Sequence, residues 1–144
     1  MPLFNPDKIT KLTSEMRKAL DHLKSLGAVD RAIFLGDPDK MGSAKYNLVI
    51  AIESAIDICN HIISQNGYRS PDDYADTFRV LGEQGVFDEA FTKELRDMAK
   101  FRNRLIHLCW EVDDEQLYQI LQTRLKDFKL FLDCLAAFLN LCAM

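Results

Sequence analysis

The stretch Leu48–Ile63 is apolar around most of a helical circumference, interrupted in charge only by Glu53 and Asp57. A helix of that kind cannot rest on a surface by one stripe; it has to be covered on most sides by other elements. The rest of the chain must therefore supply that cover. With 144 residues, it is long enough to do so as one domain spanning residues 1–144.

The covering elements are legible as helices. Asn5 followed by Pro6 is a helix start, Gly27 a stop, and Ile9, Leu12, Met16, Leu20 and Leu23 recur between them at three- and four-residue steps. A short helix is expected over Val29–Leu35, ending at Gly36. Asp37-Pro38 opens the central helix and Asn66-Gly67 closes it. Tyr68–Asp76 is rich in Ser, Pro and Asp and reads as a loop. A helix over roughly Tyr74–Glu83 follows, then one capped by Asp88 and running to about Leu108. A last helix, capped by Asp113 or Asp114, is expected to run nearly to the C-terminus on the stripe Leu117, Leu121, Leu125, Phe128, Phe131, Leu132, Leu135 and Leu139. No segment reads as a strand, and there are only 6 Gly and 4 Pro to make turns. The fold class expected is all-α, an up-and-down bundle of four to five main helices.

Several function classes recede at once. No run of about 18 uncharged apolar residues is present, so no membrane span is expected. The first residues have no basic stretch followed by an apolar one, and a cytoplasmic location is expected. Cys59, Cys109, Cys134 and Cys142 sit in helical patterns with no C-x-x-C pair, which suggests reduced thiols acting mostly as small core residues. The formal net charge is −4, so bulk charge does not favour nucleic acid. Glu53, Asp57 and His61 share a stripe at i, i+4, i+8, but no second Glu-x-x-His accompanies them. Neither a metal nor a cofactor is expected, and Glu53 and Asp57 read as a solvated face or as one wall of a cleft.

The informative segment is Phe91–Trp110. At about 100° per residue, Phe91, Leu95, Met98, Ala99, Leu105, Ile106 and Cys109 fall on one apolar face, with Arg102 near its centre. A buried guanidinium without compensation costs several kcal/mol, so Arg102 requires a partner, a ligand or a wet cleft; Glu53 and Asp57 are candidates for the partner. Asn103 and His107 are neighbours at i, i+4. Arg102 and His107 are roughly 140° apart, so a straight helix does not set them side by side. The long Arg stem could bridge part of that gap; otherwise the helix must deform, or two copies must meet across a two-fold axis, which would bring two Arg and two His together. Lys93, Arg96, Lys100, Arg102 and Arg104 make the segment locally basic, as an acidic protein would need to hold a phosphodiester.

Arg102-Asn103-Arg104-Leu105-Ile106-His107 resembles the Arg-x4-His motif of the HEPN superfamily, with the polar residue after the Arg. The run from Arg102 to Leu121 is similar to the HepT branch, RNase toxins paired with an MntA-type nucleotidyltransferase antitoxin. The resemblance implies a homodimeric, metal-independent endoribonuclease. In it His107 acts as general acid or base, Arg102 clamps the phosphate and Asn103 supports. It also implies RNA as substrate and such an antitoxin as partner. The HepT motif continues with a Tyr two residues after the His, the residue that the antitoxin AMPylates; here that position is Cys109, a poor adenylyl acceptor. Three readings follow. Silencing works by binding alone, or another residue such as Tyr118 is modified, or the Cys is an engineered or escape change. Trp110 is expected to pack in a core or dimer seam in preference to stacking on a base. A non-catalytic helical subunit that binds a nucleotidyltransferase or nucleotide is the alternative function.

Overall fold

The computed structural model describes residues 2–141, and its regular elements among them are all helical: α1 (Pro6–Gly27), α2 (Arg31–Leu35), α3 (Pro38–Asn66), α4 (Tyr74–Glu83), α5 (Glu89–His107), α6 (Asp114–Thr123) and α7 (Lys126–Leu139). A single 3-10 turn, Cys109–Glu111, links α5 to α6. Cys142 lies outside the described residues.

Local chemistry sets the helix ends. Asn5 Oδ1 accepts from the Asp7 and Lys8 amides, with Pro6 occupying the first helical position, where its missing N–H costs nothing. Asp37, Asp73, Asp88 and Asp113 each accept from a backbone amide in the first turn of their helices. Gly67 ends α3 with φ +64, a left-handed conformation that glycine adopts without a Cβ penalty.

The central helix is the one expected. Leu48, Ala51, Ile52, Ala55, Ile58, Cys59 and Ile62 of α3 are almost wholly enclosed. α1 lies along α3 with Met16 and Leu23 at zero exposure. α3 is long and apolar enough to cross a membrane, yet two-thirds of its most apolar window is buried inside the bundle, as in a core helix. His61, on the same helix, accepts a 2.8 Å hydrogen bond from the Asn5 amide at Nε2 and so anchors the entry to α1. Burial lowers its pKa and keeps it in the neutral form that can accept.

Two expectations are corrected. The short second helix begins at Arg31, two residues later than expected. The long last helix is two helices. At Arg124-Leu125 the α-helical bonding gives way to three-residue steps, with the Asp127 amide bonded to the Arg124 carbonyl and the Phe128 amide to that of Leu125. No Gly or Pro marks the break. Arg124 reaches across to Glu94 of α5 and holds Asp127 at 2.8 Å, and packing dictates the bend. The bend lets α6 lie against α1 and α2, while Phe131 of α7 packs on Phe78 and Phe87, with ring centroids 6.1 and 5.6 Å away. Burying each such ring contributes about 1.5–3 kcal/mol.

α4 and α5 approach closely, and Gly82 is the reason. A Cβ built there would lie 2.6 Å from Thr92 Oγ1, whose hydroxyl is already engaged with the Asp88 carbonyl. Only a residue without a side chain admits this contact, which brings the N-terminal end of α4 beside the C-terminal end of α5.

Candidate functional site

Arg102 comes from the penultimate turn of α5 and faces α3, as its place on the apolar stripe demands. Its side chain is 12% exposed. Nη2 donates to Glu53 Oε1 at 2.5 Å, and Nη1 donates to Asn103 Oδ1 at 3.1 Å. The guanidinium carbon lies 4.8 Å from the centre of the Tyr74 ring, a cation–π distance. The buried Nε–H has no acceptor among the described residues. The partner required by burial is thus Glu53, not Asp57. Asp57 borders the same recess, and its carboxyl is pushed up, first by burial and next by the Glu53 charge.

Arg102, Asn103 and His107 border one open cleft of about 490 Å³, whose other wall is built by Asn60, Pro71, Asp72, Asp73, Tyr74 and Thr77. A single copy of the chain therefore already brings the Arg and the His to the same cleft. Helical angles alone leave the two apart, and the long stem and a deformed helix end are the two ways expected to close the gap within one chain. The guanidinium stem is long, and His107 is the last residue of α5, where the backbone turns out of the helix at Leu108 with φ −136 and ψ 42. His107 is exposed.

The end of the motif helix differs from the expected apolar face. Phe91, Leu95, Ala99 and Leu105 are buried, but Ile106, in the last turn of α5, and Cys109, beyond its end at His107, are exposed. Cys109 is therefore not a core thiol; Cys59 is, fully enclosed and with its thiol pKa pushed up by burial. Trp110, expected to pack, is 74% exposed in the single chain. Tyr118, offered as another modifiable phenol, is engaged elsewhere: its hydroxyl donates to the Val29 carbonyl at 2.8 Å and its ring packs on Phe34.

The basic side chains of α5 do not form one patch. Arg102 faces α3, Lys93 and Arg96 border a groove with Arg79 of α4, and Lys100 and Arg104 border a separate hollow with Arg124. The residues that sequence reasoning missed are those of the opposite wall, above all Tyr74. Nothing in their spacing relates them to Arg102; the α4–α5 approach through Gly82 does.

A helical bundle in which the Arg and the His of an Arg-x4-His helix end open on one cleft fits the class of HEPN domains. A family model described as "Ribonuclease HepT-like" matches residues 16–135, and the chain belongs to that family. An mRNA nuclease HepT of Shewanella oneidensis is 29% identical over 75% of this chain and 81% of its own. A tRNA nuclease HepT of Aphanizomenon flos-aquae is 25% identical over 78% and 76%, respectively. Among solved structures, a tri-AMPylated HEPN toxin of Shewanella oneidensis in complex with its MNT antitoxin superposes with a TM-score of 0.86 at 25% identity, covering 92% of this chain and 99% of that one. A toxin–antitoxin complex with AMP-PNP superposes with a TM-score of 0.85 at 25% identity, over 91% and 98%.

Proposed function

We propose that this chain is a metal-independent endoribonuclease toxin, active as a homodimer, that cleaves RNA at Arg102 and His107 and is neutralised by a nucleotidyltransferase antitoxin. The observation that carries the reading is the shared cleft: a guanidinium and an exposed imidazole border the same opening. The nuclease names of the relatives support it.

The chemistry needs nothing further from a metal. The RNA 2′-oxygen attacks the adjacent phosphorus, the bond to the 5′-oxygen breaks, and a 2′,3′-cyclic phosphate and a 5′-hydroxyl result. One proton leaves the nucleophile and one reaches the leaving oxygen. His107 accepts or donates that proton. Arg102 donates to the non-bridging oxygens as charge grows on them. Asn103, bonded to Arg102, holds the guanidinium plane in place.

Each copy brings one motif histidine, and the two proton transfers call for two groups. A second copy would provide the other His107 and would cover the exposed apolar run Ile106, Leu108 and Trp110 that flanks the first.

The test is cleavage of an RNA oligonucleotide by the purified chain in EDTA. His107→Ala is expected to lose at least about a hundredfold in rate, and a 2′-deoxy substitution at the scissile nucleotide is expected to block cleavage. Wild-type rates for both His107→Ala and Arg102→Ala would refute the assignment.

A further inference from the structure

We infer that Tyr74 is the acceptor through which a nucleotidyltransferase modifies and silences this chain. The inference rests on the toxin and antitoxin reading above and goes beyond it by assigning the site. The related HEPN toxin of Shewanella oneidensis carries AMP groups in complex with its MNT antitoxin. Here Cys109 stands two residues after the motif histidine, and a phosphorus–sulfur ester is more readily hydrolysed than a phosphate ester of oxygen. If nucleotidylation operates at this cleft, a hydroxyl has to provide the oxygen; the Thr77 hydroxyl there is buried and bonded to the Asp73 carbonyl, which leaves a phenol.

The chain has four tyrosines, and their surroundings separate them. The Tyr118 hydroxyl is bonded to Val29 and its ring is packed. Tyr68 packs against the core at the end of α3. Tyr46 is exposed but lies two turns before Glu53 on α3, about 10 Å along the helix axis, and does not border the cleft. Tyr74 is 44% exposed, borders the cleft with Arg102, Asn103 and His107, and lays its ring against the Arg102 guanidinium.

The step balances with ATP as co-substrate and a nucleotidyltransferase as catalyst. The Tyr74 oxygen bonds to the α-phosphorus, the bond between the α- and β-phosphates breaks, pyrophosphate leaves, and the phenolic proton passes to water. The product is an anionic phosphodiester tethered beside Arg102. It supplies an acceptor to the guanidinium that RNA would otherwise engage, and its nucleoside fills a cleft of about 490 Å³. Silencing by competition at the phosphate clamp follows from that placement.

The experiment incubates the full chain with ATP and an MNT-type nucleotidyltransferase that binds it, then reads intact mass, a tryptic peptide map and RNA cleavage on one sample. The expected result is a gain of one or more AMP units on the peptide 70–79, retained in Cys109→Ser and absent in Tyr74→Phe, with cleavage lost as mass is gained. Mapping of the gain to the peptide holding Cys109 or to the one holding Tyr46 would overturn Tyr74 while leaving the toxin and antitoxin reading intact. A tight, inhibitory complex with no mass gain would likewise overturn it. Wild-type chain that cleaves no RNA before any treatment would instead defeat the functional reading itself. Because the wild-type peptide map decides the site, the outcome does not hang on the stability of the Tyr74→Phe variant.

Discussion

Two arginines on neighbouring elements show how the same side chain does opposite work. Arg69, in the loop after α3, makes a pair of bonds to Asp76 at 2.8 and 2.9 Å and another pair to Glu83, both at 2.9 Å. It ties the loop to both ends of α4, and its donors face carboxylates throughout. Asp76 also accepts from the Asp72 amide. Arg102 has one carboxylate, one amide oxygen, one aromatic face and a buried Nε–H left over, and it opens on a cleft. A saturated guanidinium holds structure together. One that borders a cleft with Nη hydrogens still unpaired keeps donor capacity for a ligand, and its buried Nε–H is a cost in stability that the fold carries elsewhere.

Substitution should split the two cleanly. Arg102→Ala is expected to reduce RNA cleavage by about a hundredfold or more and to change unfolding free energy by less than about 1 kcal/mol, since Glu53 is partly exposed and can be hydrated. Arg69→Ala is expected to do the reverse, lowering the urea midpoint as Asp76 loses its guanidinium partner and keeps only the Asp72 amide, while cleavage per folded molecule falls by less than about tenfold. Urea titrations run beside oligonucleotide cleavage measure both; a large activity loss in Arg69→Ala with no loss of stability would collapse the distinction.

Gly82→Ala tests the contact that joins the two regions. The added methyl meets Thr92, and a β-branched side chain bonded to the Asp88 carbonyl cannot swing away freely. A destabilisation of about 1–3 kcal/mol is expected, accompanied by a change in the environment of Tyr74, readable by tyrosine fluorescence.

pH gives a finer separation. The Arg69 guanidinium, helped by the Asp72 amide, holds the Asp76 carboxyl down to about 2 from its ordinary 3.8. A carboxyl depressed on folding contributes stability that is present above its unfolded value and is lost as pH falls through the folded one. Urea midpoints should therefore drop between about pH 4 and pH 2, and Asp76→Asn should remove that part of the slope. Asp57, beside Arg102, has the opposite sign. Its carboxyl is raised by burial and by Glu53, so the folded state disfavours its ionised form and the penalty grows as pH rises through its folded value. Asp57→Asn should raise the urea midpoint slightly at neutral pH and leave it unchanged in acid, the smallest effect of the series.

Much of this molecule was legible before any coordinates. The apolar circumference of α3, the Asn5 and Asp88 caps and the Gly67 stop are local signals, and local physics answered them. Arg102, Asn103 and His107 were also singled out in the sequence, and so was the need of Arg102 for a partner, a ligand or a wet cleft. Three things were not. The bend at Arg124 carries no Gly or Pro and comes from docking on α5. The selection of Glu53 over Asp57 is a matter of ångströms between two residues one turn apart. The placement of Tyr74 depends on Gly82, eight residues away, meeting Thr92 on another helix. Helix ends, core stripes and a buried charge in need of a partner are set by neighbours in the chain. Which partner answers that charge, and what stands across the cleft from it, depends on how faces distant in sequence pack, and only the tertiary structure decides that.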